Sequence, residues 1–236
     1  ENEKGWEFMA QSKSYYQAYD DRYRQIHEQS LHWFSEAPSP IVLEIMNKYQ
    51  VSKASAILEI GCGEGRDAAY LLQNSYPVLA TDVSAEAVKY CRKQFPEYAD
   101  SFQVLDCLTE RLSGTYDFIY AISVLHMLVE EEDRVRFYRF LYEQLQDEGI
   151  ALICTMGNGT EEWRTDTSQA FHLEKRVHRR SGREVCVAAT SCRTVSFETL
   201  KAEIQAGSLL LLESGMTSII PDFPTIMYAV VKRAPA

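Results

Sequence analysis

The chain has 236 residues, of which 46% are hydrophobic and 25% charged, the ordinary balance of a globular protein with a buried core. Its formal net charge of -10 disfavours nucleic acid as a partner, because affinity for a polyanion comes largely from Lys and Arg. Six scattered cysteines form no CxxC pair, and no apolar run approaches the roughly 20 residues that span a bilayer. We therefore expect a cytoplasmic protein with reduced thiols, no membrane span and no metal site.

From residue 55 onward, apolar runs typical of strands alternate with segments of helical period, the pattern of crossover units that build a parallel sheet. The predicted strands are residues 56–60, 77–81, 101–105, 116–121 and 150–155. The predicted helices are residues 39–49, 66–74, 85–94, 131–146 and 197–205, with Ser84 as an N-cap. Two further strands, residues 209–214 and 225–232, flank a Pro-Asp-Phe-Pro turn and predict an antiparallel hairpin at the sheet edge.

Two segments stand outside this alternation, and we treat residues 1–236 as one domain that carries both. Residues 1–36 place Tyr15, Tyr19 and Tyr23 on one helical face, which predicts either an N-terminal helical lid or a helix packed on the sheet. Residues 157–195 form an insertion after the fifth strand, in which residues 171–179 and 184–190 flank a Ser-Gly turn and predict a hairpin.

Residues 57–67 read ILEIGCGEGRD and put three glycines at the exit of the first strand. Glycine suits a turn there because a Cβ would keep the backbone from approaching a ligand. Asp82 ends the second strand, where a carboxylate can accept hydrogen bonds from both hydroxyls of a ribose. These features predict an adenosine site, and the GxGxG spacing argues against NAD, whose folds usually show GxGxxG.

An acidic residue, one spacer and GxGxG, here Glu59, Gly61, Gly63 and Gly65, resemble the signature of class I S-adenosylmethionine-dependent methyltransferases of the small-molecule type. The likeness extends through residues 39–155, including the run YDFIYAISVLHML at residues 116–128. It implies a Rossmann-like methyltransferase fold, which is α/β, doubly wound and mostly parallel, with seven strands of which the last is antiparallel.

The resemblance also implies S-adenosylmethionine as the cofactor and assigns its contacts by position. Those positions are Glu59, Gly61, Cys62, Gly63, Asp82, Val83, Asp106, Cys107 and Ile122. Glu59 would orient the methionine amino group, Asp82 would hold the ribose, and Asp106 would hold the adenine amino group beside the backbone of Cys107. Ile122 or Ser123 would lie near the methionine end. Asp106 can equally be read as an ordinary loop acid, and Cys62 as a small residue that fills the turn.

His126, in the loop after the fourth strand, is the candidate catalytic residue. A general base is needed only if the acceptor loses a proton, so His126 is either that base or a residue packed against the pocket. The residues that other kinds of methyl transfer need are missing. No Asn-Pro-Pro-Tyr or Asp-Pro-Pro-Tyr tetrad, typical of nucleic-acid base methylation, follows the fourth strand. Asp106 alone does not make the magnesium site of a metal-dependent methyltransferase.

The sequence therefore predicts methyl transfer to a small-molecule acceptor. The alternatives are a sensor or scaffold that binds the cofactor without catalysis, and a nucleotide-dependent oxidoreductase.

Basic residues concentrate in the insertion, at Lys175, Arg176, Arg179, Arg180, Arg183 and Arg193. They predict an anionic acceptor, because Arg binds carboxylate or phosphate through a planar fork. The alternative is a solvated hairpin whose charges protect an exposed edge.

Overall fold

The computed structural model describes residues 13–33, 35, 37–217 and 225–235. Its strands in chain order are β1 (Ile57–Ile60), β2 (Val78–Asp82), β3 (Phe102–Val104), β4 (Tyr116–Ile122), β5 (Leu145–Thr155), β6 (Trp163–Arg164), β7 (Leu173–Val177), β8 (Glu184–Ala188), β9 (Arg193–Thr194), β10 (Leu209–Thr217) and β11 (Ile226–Arg233). The α-helices are α1 (Ala18–Glu28), α2 (Pro40–Lys48), α3 (Arg66–Gln73), α4 (Ala85–Gln94), α5 (Glu131–Gln144) and α6 (Phe197–Ala206).

A central sheet of seven strands runs in the order β10-β11-β5-β4-β1-β2-β3. The five strands from β5 to β3 pair in parallel, and β11 pairs antiparallel with both β5 and β10. The predicted α/β sheet with an antiparallel last strand is confirmed. The last two strands form the predicted hairpin at the sheet edge, in which β10 is outermost and β11 bonds to β5 on its other side. The turn predicted between them, residues 221–224, lies outside the described residues.

Helices cover both faces of the sheet because alternate residues of each strand face opposite ways. Phe118 and Tyr120 of β4 pack in a cluster with α2, α3 and α4, whereas Ile119 and Ala121 pack in a second cluster with α5 and α6. All four residues are fully buried, and β1 is buried along its whole length. This two-sided burial explains why the strands read as continuous apolar runs. No helix in the described part of the chain is long and apolar enough to cross a membrane.

The insertion forms two small antiparallel sheets, β6 with β9 and β7 with β8, which confirms the predicted hairpin. Helix α1 packs on β8, where Ile26 forms a cluster with Val185 and Val187. Arg22 extends this contact with hydrogen bonds to the carbonyl oxygens of Ala188 (2.7 Å) and Ala189 (2.7 Å). The N-terminal helix and the inserted hairpin therefore form one continuous layer.

Candidate functional site

A glycine turn leads from β1 into α3. Gly61 and Gly63 adopt φ angles of +72° and +53°, in the left-handed region that other residues rarely enter. A Cβ on Gly61 would collide with Cγ2 of Val124, and a Cβ on Gly63 would lie 2.6 Å from the Tyr23 hydroxyl. The turn thus requires glycine for both its conformation and its space.

Asp82, at the end of β2, is joined directly to this turn. One carboxylate oxygen accepts a hydrogen bond from the Gly63 backbone N–H and the other from the Ser84 N–H, each at 2.8 Å. The side chain is only 7% exposed. Burial raises the pKa of Asp82 to about 6, although the two N–H donors pull it down. The structure therefore brings the predicted acidic residue and the predicted glycine turn into contact.

Glu59 lies beneath the turn on β1 and is almost wholly buried. The Tyr120 hydroxyl donates a 3.0 Å hydrogen bond to its carboxylate. Burial raises the pKa of Glu59 well above its usual value, and the nearby Asp67 carboxyl adds to the rise. A buried carboxyl in this state gains most from a cationic partner, whose charge would favour its ionised form.

Asp106 and Cys107 follow β3, on the far side of Asp82. The Asp106 carboxylate accepts one hydrogen bond from the Tyr16 hydroxyl (2.9 Å) and another from the Leu108 backbone N–H (2.9 Å). Cys107 is buried, and burial raises the pKa of its thiol. The pKa of Cys62 is also raised, by a hydrogen bond with the Cys91 thiol and by burial. Both thiols are therefore held in the protonated form, which is a weak nucleophile.

The loop after β4 carries two buried polar atoms that have no hydrogen-bond partner among the described residues, Ser123 Oγ and His126 Nδ1. Ser123 has a φ of +61°, and Ile122 before it is buried. His126 lies in a short 3-10 helix (Leu125–Met127) and is 3% exposed. Burial, aided by the Arg134 charge, lowers the pKa of His126 to about 3, so its imidazole is neutral at physiological pH. Val83, next to Asp82, is partly buried against the core.

The N-terminal segment lies across the same site. Asp20 accepts hydrogen bonds from Ser84 Oγ (2.8 Å) and from the backbone N–H of Glu86 (3.0 Å). The His27 ring nitrogens lie 2.9 Å from a carboxylate oxygen of Glu64 and 2.9 Å from one of Glu86. Asp20 and His27 were not predicted from the sequence. Together with Tyr16 and Tyr23 they recur every three or four residues, so their helical spacing was a usable signal.

The basic residues of the insertion do not gather at one place. Lys175 pairs with Glu184 at 2.9 Å on the exposed side of the hairpin, and Arg176 pairs there with Glu174. Arg193 instead points inward and donates a 3.0 Å hydrogen bond to the Val129 carbonyl oxygen. Among the predicted anion-binding residues, these three therefore have carboxylate or carbonyl partners within the protein.

Part of the chain is similar to known methyltransferases. Residues 58–151 match a family model described as a methyltransferase domain. Juvenile hormone acid O-methyltransferase of Bombyx mori is 29% identical over 123 residues, which are 49% of this chain and 43% of that protein. The chain spans less than half the length of the curated relatives it matches.

Solved structures share the fold at low sequence identity. The 1,6-didemethyltoxoflavin-N1-methyltransferase of Burkholderia thailandensis, solved with 1,6-didemethyltoxoflavin and S-adenosylhomocysteine, has a TM-score of 0.67 at 14% identity, covering 94% of this chain and 89% of that one. A S-adenosylmethionine-dependent methyltransferase of Clostridium acetobutylicum has a TM-score of 0.64 at 14% identity, covering 93% and 99%. At such identity the likeness is one of fold.

Proposed function

We propose that this chain, which contains a class I S-adenosylmethionine-dependent methyltransferase domain, binds S-adenosylmethionine and transfers its methyl group to a small-molecule acceptor. The observation that carries the proposal is the hydrogen bond between the Gly63 N–H and the Asp82 carboxylate. It joins the turn expected to hold the methionine moiety to the acid expected to hold the ribose. The matched domain, residues 58–151, contains both.

The residues present fit this cofactor. There is no room for a Cβ at Gly61 or Gly63. Glycine at both positions suits a turn whose backbone lies close to a ligand. Glu59 supplies a buried carboxyl that would gain from the amino group of the methionine moiety, and Asp106 an acceptor for the adenine amino group. Ser123 Oγ is a buried polar atom with no partner in the described part of the chain, and a ligand group could satisfy it.

Cys107 and Ile122 would complete the set, the first through its backbone beside the adenine and the second beside the methionine end. When bound, the sulfonium supplies an activated methyl group. The protein then needs mainly to align the acceptor with that methyl and to exclude water, and alignment alone can supply much of the rate. We propose that the layer formed by α1 and the hairpin β7–β8 is a lid that excludes water from the site.

His126 would act on the acceptor side. Its imidazole is neutral, so it can accept a hydrogen bond from the acceptor, and its low pKa makes it a weak base in the free protein. It serves as a base only if the acceptor must be deprotonated. With an acceptor that is already ionised, such as a carboxylate, His126 would position it instead.

We propose an acidic acceptor. Two observations support this. The relative in Bombyx mori is named as the O-methyltransferase of an acid. Within the insertion, Arg179, Arg180 and Arg183 lie at or next to the tip of the hairpin, in a chain of net charge -10. A nitrogen acceptor is the contrasting class, because the Burkholderia enzyme is named an N1-methyltransferase.

A two-stage experiment tests the proposal. Calorimetry with S-adenosylhomocysteine measures cofactor binding, and a screen of carboxylated, phosphorylated and neutral small molecules then measures release of S-adenosylhomocysteine from S-adenosylmethionine. Binding with turnover on acidic acceptors is expected. Binding without turnover on any acceptor would favour the sensor or scaffold, and turnover only on neutral or cationic molecules would exclude the acidic acceptor.

A further inference from the structure

Arg134 of α5 is the largest side chain that is fully buried in the described part of the protein, at 1% exposure. Its guanidinium makes a two-pronged ion pair with Glu203 of α6, through Nε and Nη2 at 2.7 Å each. Nη1 donates to the carbonyl oxygens of Leu125 (3.0 Å) and Leu128 (3.2 Å). The Tyr138 hydroxyl donates a further 3.0 Å hydrogen bond to Glu203. One arginine thus ties the turn after β4 to two helices.

The insertion holds the same turn from the other side. Arg193 Nη1 donates to the Val129 carbonyl oxygen at 3.0 Å, and Arg193 Nη2 pairs with Glu131 at 2.8 Å. Ser191 Oγ donates to the Met127 carbonyl oxygen at 2.8 Å. The backbone carbonyls of residues 125, 127, 128 and 129 are therefore all fixed by side chains from elsewhere in the fold.

Stability alone is a poor explanation for this arrangement. Desolvation of a buried ion pair offsets much of its attraction, and apolar residues of similar volume often serve as well or better. A guanidinium offers what apolar residues do not, several donors in a rigid plane that fix the positions of their acceptors. What this plane fixes is the backbone around His126, which lies between Leu125 and Met127.

We propose that Arg134, held by Glu203, is a positioning residue that fixes the turn carrying His126. The role of Arg134 in catalysis rests on the proposed function, since Arg134 acts only through His126. Its role in the geometry of the turn is independent of that function. The buried Nδ1 atom of His126, without a partner among the described residues, is the group whose placement this turn decides.

Three variants separate the parts of this role. Arg134→Lys keeps the charge but loses the planar fork, Arg134→Met loses both, and Glu203→Gln keeps the shape of the anchor without its charge. Arg233→Lys is the matched control, because Arg233 also pairs with an acid, Asp147 at 2.9 Å, at the opposite end of β5. If Arg134→Met does not fold, the other two variants carry the test.

The readouts are amide hydrogen exchange of residues 125–130, the imidazole signals of His126 by NMR, and affinity for S-adenosylhomocysteine. We expect faster exchange at the turn and shifted His126 signals in Arg134→Lys and Glu203→Gln, with cofactor affinity within about twofold. With an acceptor in hand, kcat should fall roughly 10- to 100-fold at little-changed KM, the cost of a misplaced group. Arg134→Met alone should also raise the pKa of His126, because it removes the positive charge.

Wild-type exchange rates and wild-type His126 signals in both Arg134→Lys and Glu203→Gln would overturn the proposal, as would equal changes in the Arg233→Lys control. A fall in cofactor affinity that accounts for the whole loss of activity would overturn it too. If the wild-type protein methylates no acceptor, the proposed function fails, yet the exchange and NMR comparisons still decide whether Arg134 positions the turn.

Discussion

The Tyr16 hydroxyl donates a 2.9 Å hydrogen bond to Asp106 Oδ2, on the carboxylate expected to receive the adenine amino group. A bound cofactor would have to displace or share this bond. We therefore predict that Tyr16→Phe speeds association of S-adenosylhomocysteine roughly fivefold, the equivalent of one net hydrogen bond of about 1 kcal/mol. Stopped-flow tryptophan fluorescence measures the rate. Tyr76→Phe, two residues before β2, is the control. An unchanged rate in Tyr16→Phe would show that Tyr16 does not compete.

Asp82 gives a prediction in affinity and in pH. Asp82→Ala should weaken S-adenosylhomocysteine binding by roughly 1.5 to 3 kcal/mol, the value of hydrogen bonds to a charged acceptor. Burial raises the pKa of Asp82 to about 6, and the cofactor favours the carboxylate, so wild-type affinity should hold above pH 6 and fall below it. Calorimetry between pH 5 and pH 8 checks both. Affinity within twofold of wild type would remove Asp82 from the site.

His27 makes docking of α1 depend on pH. Burial disfavours the imidazolium, but hydrogen bonds to Glu64 and Glu86 outweigh it and raise the pKa of His27. His27 also stacks on Tyr90, with ring centroids 4.7 Å apart. Because the folded-state pKa is raised, the stabilisation is complete below the unfolded value of about 6.5 and is lost as pH rises through the folded-state pKa.

We therefore predict that α1 exchanges its amide protons more slowly, relative to the intrinsic rate, at pH 6 than at pH 8. His27→Gln should remove most of the difference. Exchange of α6, which packs on the sheet beside α5, serves as the internal reference. A pH dependence that persists unchanged in His27→Gln would assign the effect to another group.

The sheet and the glycine turn could be predicted because their signals are local. Strand and helix periods alternate within each crossover unit, and Ser84 caps α4 as its sequence position indicates, accepting a hydrogen bond from the Ala87 N–H. The edge position of the last hairpin was predicted as well, and β10 and β11 do end the sheet. Its pairing with β5 could not be predicted, because strand order depends on partners distant in the chain.

Arg134 and Arg193 show why the rest of the site could not be predicted. Arg134 lies in a helix with many charged residues, which indicates a solvated face, yet it is buried against Glu203. Arg193 was assigned to acceptor binding by composition, whereas its contacts lie inside the protein. Buried charges depend on tertiary partners, which neither period nor composition reveals.

His126 gives a test of mechanism. If His126 is the base for a proton-losing acceptor, His126→Asn should lower kcat by about 10² to 10⁴ while cofactor affinity stays near wild type. Because burial lowers the pKa of His126 to about 3, this residue stays neutral between pH 8 and pH 5. Any fall in the wild-type rate across that range should therefore persist in His126→Asn. Steady-state kinetics across that range measures this. An unchanged kcat in His126→Asn would make His126 a packing residue.

Substitution of Gly63 can distinguish two reasons for glycine in the turn, the backbone conformation and the lack of space for a side chain. A Cβ there meets both a left-handed backbone (φ +53°) and the Tyr23 hydroxyl at 2.6 Å, whereas Gly182 has a similar φ of +68° with nothing within 4 Å of a Cβ. Gly182→Ala should therefore lower the free energy of unfolding by only the backbone cost, about 1 kcal/mol. Gly63→Ala should lower it further, and Tyr23→Phe should restore that extra loss because it removes the obstructing oxygen. Urea unfolding of the double-mutant cycle measures the coupling, expected at about 1 kcal/mol. Additive effects of Gly63→Ala and Tyr23→Phe would mean that α1 does not press on the glycine turn in solution.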